Sequence, residues 1–460
     1  MLKGLEDLRD QRSVVDMDSG QLLNLGRVLL LVAAGFLAGC AGSFSMMPTP
    51  VAYRISNINL FSDMSASKET TDIDVLYVTD RKPENGVNAA EGYTDERGLA
   101  LRLGHAVVKM GGEGQEWPDL ERQSLMSNKR PKMRMESVEE YGKLWTTIPI
   151  SDAEGFAAVM EQPGPGAPVR AAGAKFAGEI NRRLANSTRD DVTVYVPGFN
   201  TSFDTPILMM AQFSHFMQRD GVFIAYSWPS STSPFGYSKQ IQRREVSVRN
   251  LREFLVYLAE ETNAKKIHVV TFSAGAPLVT KALLQLRLTH EGKTAAQVHA
   301  ATRLGHVIYA GADDDWEYFR NVYLDGFNDL AESITVYTSA NDKGLGLSSA
   351  LMNKNVRLGR VTNELTQGDL EALRQATVTS FVDVTDALKY AGKGDGFGHS
   401  YWYANPWVNT DVIAILAGDR TPSERALVRE EGEALWTFPE DYPERVKAIV
   451  EEYQREQGVR

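Results

Sequence analysis

The stretch from Lys265 to Arg287, KKIHVVTFSAGAPLVTKALLQLR, joins a β-branched run to an apolar, helix-like run through Thr-Phe-Ser-Ala-Gly. A serine on such a strand-to-helix turn has its hydroxyl aimed above the sheet, at a helix N-terminus whose unpaired amides favour a developing negative charge. That makes Ser273 a candidate nucleophile. The flanking positions must be small because strand and helix approach closely there; Gly275 satisfies this, while Thr271 sets a branched residue where glycine is usual and predicts a slightly crowded turn. Serine is also a good helix N-cap, so the local pattern leaves nucleophile and cap both open.

A serine hydroxyl needs a general base within hydrogen-bond reach. Of the seven histidines, His268 and His306 fall in strand-like runs and His215 in a helical one. His290 and His299 lie at or beyond the end of the helix after Ser273, and His105 lies in the N-terminal part. His399, in GDGFGHSYWYANPW, follows the last strand-like run on a glycine-rich loop and is the candidate base. The acid that orients it should lie between serine and histidine in the chain. Asp342 closes SITVYTSAND, and Asp313, Asp314 and Asp315 follow HVIYAGA. Asp342 is favoured, because an isolated acid is easier to keep ionised than one in a triplet, and the triplet suits a helix N-terminus before WEYFRNVYL.

A tetrahedral oxyanion requires two backbone donors. The amide of Ala274 is one candidate, and that of Phe199 in VPGFNTSF the other, with Asn200 beside it. Trp228, Tyr401, Trp402 and Trp407 belong to loops at the same end, where they either line an apolar acyl or aryl pocket or pack beneath their own loops. No His-Glu-x-x-His, cysteine pair, calcium-loop spacing or phosphate loop is present, so no metal and no cofactor are expected.

The elements that must position these residues begin near residue 190. DVTVYV, GVFIAYS, KKIHVV, HVIYAGA, SITVYT and TSFVDV alternate with amphipathic segments such as REVSVRNLREFLVYLAEET. Continuous apolar strands separated by helices indicate a parallel sheet covered on both faces, with ligands at the carboxyl ends of its strands. The expected organisation is a catalytic domain over 186–420, an accessory region of short strands and loops over 72–185, and a helical C-terminal tail over 421–460. DIDVLYVTDRKP and LRLGHAVVKMG read as strands of the accessory region.

The chain of 460 residues carries a formal net charge of −11, which argues against a nucleic-acid partner. Its single cysteine, Cys40, follows GRVLLLVAAGFLAG. That run is shorter than the ~20 apolar residues a spanning helix needs, and Leu37-Ala38-Gly39-Cys40 matches a bacterial lipoprotein signal. The reading is therefore a signal peptide over 1–39, lipidation of Cys40 and a tether over 40–71. Ala41, in place of aspartate, points to the outer membrane facing the periplasm. Residues 1–26 hold several acids where a signal normally starts with basic residues, so Met17 is an alternative start. After cleavage Cys40 would be left with no other cysteine, hence no intramolecular disulfide.

Several segments together resemble a group of bacterial α/β-hydrolases of largely unassigned function, esterase- or lipase-like and often lipoproteins: DVLYVTDRKP, VYVPGFNTSFD, AYSWPS, IHVVTFSAGAPLV, TVYTSANDKGL and GHSYWYANP. They run in that family's order across most of residues 72–415. Two departures stand out: Pro197-Gly198 where the family more often has His-Gly, and Phe272-Ser273-Ala274-Gly275 where it has His-Ser-Met-Gly. Carried over by position, the resemblance implies an α/β-hydrolase fold with Ser273, Asp342 and His399 as triad, cleaving an ester or related acyl bond of a small molecule or lipid at the cell envelope. A catalytically silent envelope-binding or scaffold protein of the same fold, and a peptidase using the same triad, are the alternatives.

Overall fold

The computed structural model describes residues 44–457 apart from 56–58, 60, 63, 127–129, 147–166, 232–236, 352–354, 393–395 and 419. Cys40, its apolar leader and the expected lipid attachment lie outside the described residues.

The strands are β1 (Phe44–Ser45), β2 (Asp72–Pro83), β3 (Tyr93–Met110), β4 (Lys132–Thr146), β5 (Asp191–Val196), β6 (Val222–Ser227), β7 (Lys266–Phe272), β8 (Leu304–Ala310), β9 (Ser333–Thr338), β10 (Thr379–Asp383) and β11 (Trp436–Thr437). They form one sheet in the order β1-β4-β3-β2-β6-β5-β7-β8-β9-β10-β11. Every pairing from β2 to β11 is parallel, while β3, β4 and β1 add antiparallel neighbours at the other edge. The helices used below are α1 (Ala167–Ala185), α2 (Thr205–Phe216), α3 (Tyr237–Glu261), α4 (Ala276–Leu288), α5 (Trp316–Leu324), α6 (Lys343–Leu351), α7 (Pro406–Ala417) and α8 (Tyr442–Gln457).

Helices cover both faces, so both sides of each central strand must be apolar, and period-two alternation divides them into two cores. In β2, Ile73, Val75 and Tyr77 join the core under α2, α7 and α8, whereas Leu76 and Val78 join the core under α1, α3 and α4. β7 divides likewise, Val270 to one side and Ile267 and Val269 to the other. The chain runs from β5 to β6 on one side, then returns past β5 to β7. The loops leaving β5 and β7 therefore diverge at a switch point, the crevice where open parallel sheets bind ligands.

Three expectations need correction. The 72–185 region is not a set of short strands: β2, β3 and β4 span 12, 18 and 15 residues and continue the catalytic sheet. β2 and the second half of β3 read as strands in the sequence; polarity hid the rest, since an antiparallel strand near the edge such as KMRMESVEEYGKLWT exposes one side to solvent. The stretch from residue 44 is not a tether. α2 is buried on nearly every side, and a helix apolar all round needs cover. Met46, Met47, Tyr53, Phe61 and Met64 supply it; the Met47 amide donates to Gln212 Oε1 at 2.6 Å, and Tyr53 and Phe216 meet edge-to-face at 5.4 Å. The C-terminal 421–460 is more than a helical tail: β11 extends the sheet beside β10, Tyr442 of α8 packs on Trp407 at 5.4 Å, and buried Arg425 pairs with Asp411 at 2.8 Å.

Candidate active site

Ser273 opens a short 3-10 turn, Ser273–Gly275, that leads directly into α4. Its φ is 51°, the left-handed region that costs a side-chain-bearing residue roughly 1–2 kcal/mol. The turn is held from outside: the Asp313 amide donates to the Ser273 carbonyl at 3.0 Å. The serine is not the N-cap of either element: Phe272 stands before the turn and Gly275 before α4, each without a side-chain capping bond. Glycine is required twice. A Cβ on Gly275 would stand 2.5 Å from the Pro197 carbonyl oxygen, and one on Gly198 would stand 2.8 Å from Ser273 Cβ. Thr271 is accommodated without crowding because Gly275 leaves it room. Its hydroxyl lies 2.9 Å from the space that a Gly275 Cβ would fill, and it donates to the Val196 carbonyl at 3.3 Å.

The acid follows the end of β9, and the histidine lies on the loop beyond the short helix Thr385–Ala391 that follows β10. His399 Nε2 lies 2.9 Å from Ser273 Oγ, and His399 Nδ1 lies 2.7 Å from Asp342 Oδ2. Asp342 is fully buried, and its other oxygen accepts the Leu345 amide at 2.9 Å, so both carboxylate oxygens are occupied. The acid and histidine loops are joined by the Lys343 amide donating to the Phe397 carbonyl at 3.1 Å. The Phe272 ring packs against the imidazole at 4.8 Å. Asp313 and Asp315 have other duties: Ser348 donates to Asp313 at 2.6 Å, and Asp315 caps α5 by accepting the Tyr318 amide at 3.0 Å. Asp314 is buried beside α4, and desolvation pushes its carboxyl up to about 6 against the opposing effects of Thr280 and Arg244.

The loop after β5 passes close to the serine at Gly198, where an added Cβ would stand 2.8 Å from Ser273 Cβ, and Phe199 and Asn200 follow next in the chain. Ala274 is buried in the turn itself. The aromatic candidates do not line a pocket. Trp228, Tyr401 and Trp402 are all fully buried, so none offers a surface to a ligand. Trp228 Nε1 donates to the Pro197 carbonyl at 2.8 Å from below the loop. Trp402 stacks on Phe213 at 5.1 Å, and Trp407 packs under α8. Tyr401 has a structural task near the imidazole: its hydroxyl accepts the Gly311 amide at 2.8 Å and donates to the Tyr337 carbonyl at 3.0 Å, tying the histidine loop to the ends of β8 and β9. Among the described residues no group of three His, Cys, Asp or Glu is placed to hold a metal ion, and no helix is long and apolar enough to cross a membrane.

Sequence reasoning passed over Arg81, at the end of β2. Its guanidinium reaches the Thr201 carbonyl of the loop after β5 at 2.7 Å. The signal available was a charged pair, Asp80-Arg81, closing an otherwise apolar strand at the ligand-binding end of the sheet.

A largely parallel sheet covered on both faces, with a serine in left-handed conformation between strand and helix and a histidine and an acid on later strand ends, defines an α/β-hydrolase. Residues 172–420 match the sequence profile of a family described as alpha/beta hydrolase of unknown function (DUF900), and the chain belongs to that family. No curated protein matches the chain.

Proposed function

We propose that the protein is a serine hydrolase that cleaves an ester or related acyl bond. The observation that carries this reading is the unbroken relay from Asp342 through His399 to Ser273, at 2.7 and 2.9 Å, with the serine held at φ 51°. Ser273 Oγ attacks the acyl carbon while His399 Nε2 takes its proton. Asp342 keeps the Nδ1 proton facing itself, fixes the tautomer and stabilises the imidazolium that forms. The amides of Ala274 and Phe199 receive the oxyanion. Collapse expels the alcohol, which takes the proton from His399 and leaves an acyl-serine. Water, deprotonated by the same histidine, then releases the acid and restores Ser273.

The sequence around Cys40 supports a lipid-anchored enzyme at the cell envelope, on the outer membrane facing the periplasm, with small-molecule or lipid esters as the substrate class. The test is a panel of acyl esters, thioesters and peptides assayed with wild type and Ser273→Ala. Ester turnover abolished by the substitution supports the reading. Turnover that persists unchanged in Ser273→Ala, or cleavage confined to peptides, contradicts it.

A further inference from the structure

At the end of β2, alternation sends neighbouring charged side chains to opposite faces of the sheet. Asp80 points toward α3, where one carboxylate oxygen accepts Ser247 Oγ at 2.6 Å and Asn250 Nδ2 at 2.9 Å. Arg81 points the other way and is only 1% exposed. Each of its three nitrogens finds a different neutral oxygen: Nε donates to Ser227 Oγ at 3.0 Å, Nη1 to the Thr94 carbonyl at 3.2 Å, and Nη2 to the Thr201 carbonyl at 2.7 Å. Burial pushes the guanidinium down to about 10, still charged at neutral pH. A cation kept in so dry a place must be held by its hydrogen bonds, and a rigid planar fork meets three fixed acceptors where a flexible ammonium cannot.

Those acceptors belong to the start of β3, the end of β6 and the loop after β5. Ser227 Oγ, besides accepting from Arg81, donates to the Phe203 carbonyl at 3.3 Å, so a second bond holds the same loop. Within the loop, Thr201 Oγ1 donates to the Gly198 carbonyl at 3.2 Å, and Asn200 is turned to φ 57°. Gly198 is the residue whose backbone lies against Ser273. A chain of contacts thus runs from the guanidinium through Thr201 and Gly198 to the serine.

Resting on the hydrolase reading above, we propose that Arg81 is a positioning residue that fixes the 197–203 loop, so that the Phe199 amide is set for the oxyanion before substrate arrives. The N-terminal strands are then a working part of the site, and a catalytic domain cut at residue 186 would have its serine relay but a slack oxyanion loop. Preorganisation matters here because a donor displaced by a fraction of an ångström loses most of its contribution to the transition state.

The test compares Arg81→Lys and Arg81→Met with wild type in the full chain, on the best ester from the panel. In Arg81→Lys the turnover number should fall about 10²-fold with KM within twofold, because the loss falls on the transition state. The inhibition constant of a trifluoromethyl ketone of the same acyl group should rise by the same factor. Hydrogen exchange of the amides at 199–203 should speed up while those of β7 stay protected. Folded Arg81→Lys with turnover, analogue affinity and loop exchange at wild-type levels overturns the proposal, as does a loss of activity that only tracks the fraction unfolded. If Arg81→Met does not fold, Arg81→Lys decides. If wild type itself hydrolyses nothing, the hydrolase reading is what fails; the exchange rates at 199–203 still show whether Arg81 holds the loop.

Discussion

The two flanks of Ser273 are built in different ways. On one side, Asp342 and His399 come after β9 and β10, and ties that lie within residues 311–401 hold them: Leu345 on the acid, Lys343 to Phe397 between the two segments, and Tyr401 to Gly311 and Tyr337. On the other side, the loop carrying Phe199 is held from 120 residues away in sequence, by Arg81 on the N-terminal strand β2. The histidine flank is built from the C-terminal half of the chain, whereas the oxyanion flank draws on the N-terminal strands. Loss of a relay residue should all but abolish the chemistry, and loss of a loop support on either flank should weaken it by degrees.

The largest effect should come from Asp342→Asn. The fold survives, since the asparagine oxygen still accepts the Leu345 amide, but the imidazole tautomer is reversed and the turnover number should fall about 10⁴-fold in steady-state kinetics. A loss near the 10² expected for Arg81→Lys would mean that the two flanks do not differ as described. Tyr401→Phe keeps the buried ring and removes its bonds to Gly311 and Tyr337. Leaving two buried backbone groups short of a partner should cost about 1–3 kcal/mol in denaturant unfolding, and the loosened histidine loop should lower turnover about tenfold. Unchanged stability would show that the Tyr401 hydroxyl is not a tie.

The smallest effect is on stability rather than turnover. The folded pKa of Asp314, about 6, lies above its unfolded value of 3.8. The folded state therefore binds this proton more tightly. The stability that it lends is full below 3.8 and is lost as pH rises through 6. Asp314→Asn, which has no proton to lose, should gain on wild type between pH 4 and 7 by on the order of 2 kcal/mol, read as the difference between their unfolding curves. A difference that stays flat across that range would place the carboxyl back at its ordinary value.

How far the sequence could be read follows the same division. The parallel strands were visible because burial on both faces makes them continuous apolar runs, and Ser273, Asp342 and His399 were singled out because each terminates or follows one. β4 and the first half of β3 were missed because their solvent side interrupts the pattern with charge, whereas the apolar second half of β3, within LRLGHAVVKMG, was legible. The cover over α2 was missed because the elements that start it, Phe44–Ser45 and Val51–Ile55, are too short to show a period. Arg81 lay within a strand that was recognised, but its role depends on contact with Thr201, 120 residues away, which no local pattern encodes. Trp228, Tyr401 and Trp402 were assigned to the right loops; whether an aromatic faces a ligand or the core is decided by packing, and all three face the core.

The central claim is that Ser273 is a nucleophile activated by His399, and covalent labelling tests it most directly. A fluorophosphonate probe should modify the folded full-length protein at Ser273 alone, identified by mass spectrometry of the labelled peptide, and labelling should disappear in Ser273→Ala and nearly disappear in His399→Ala. A folded wild-type protein that takes up no probe, or one labelled equally well without His399, would contradict the account.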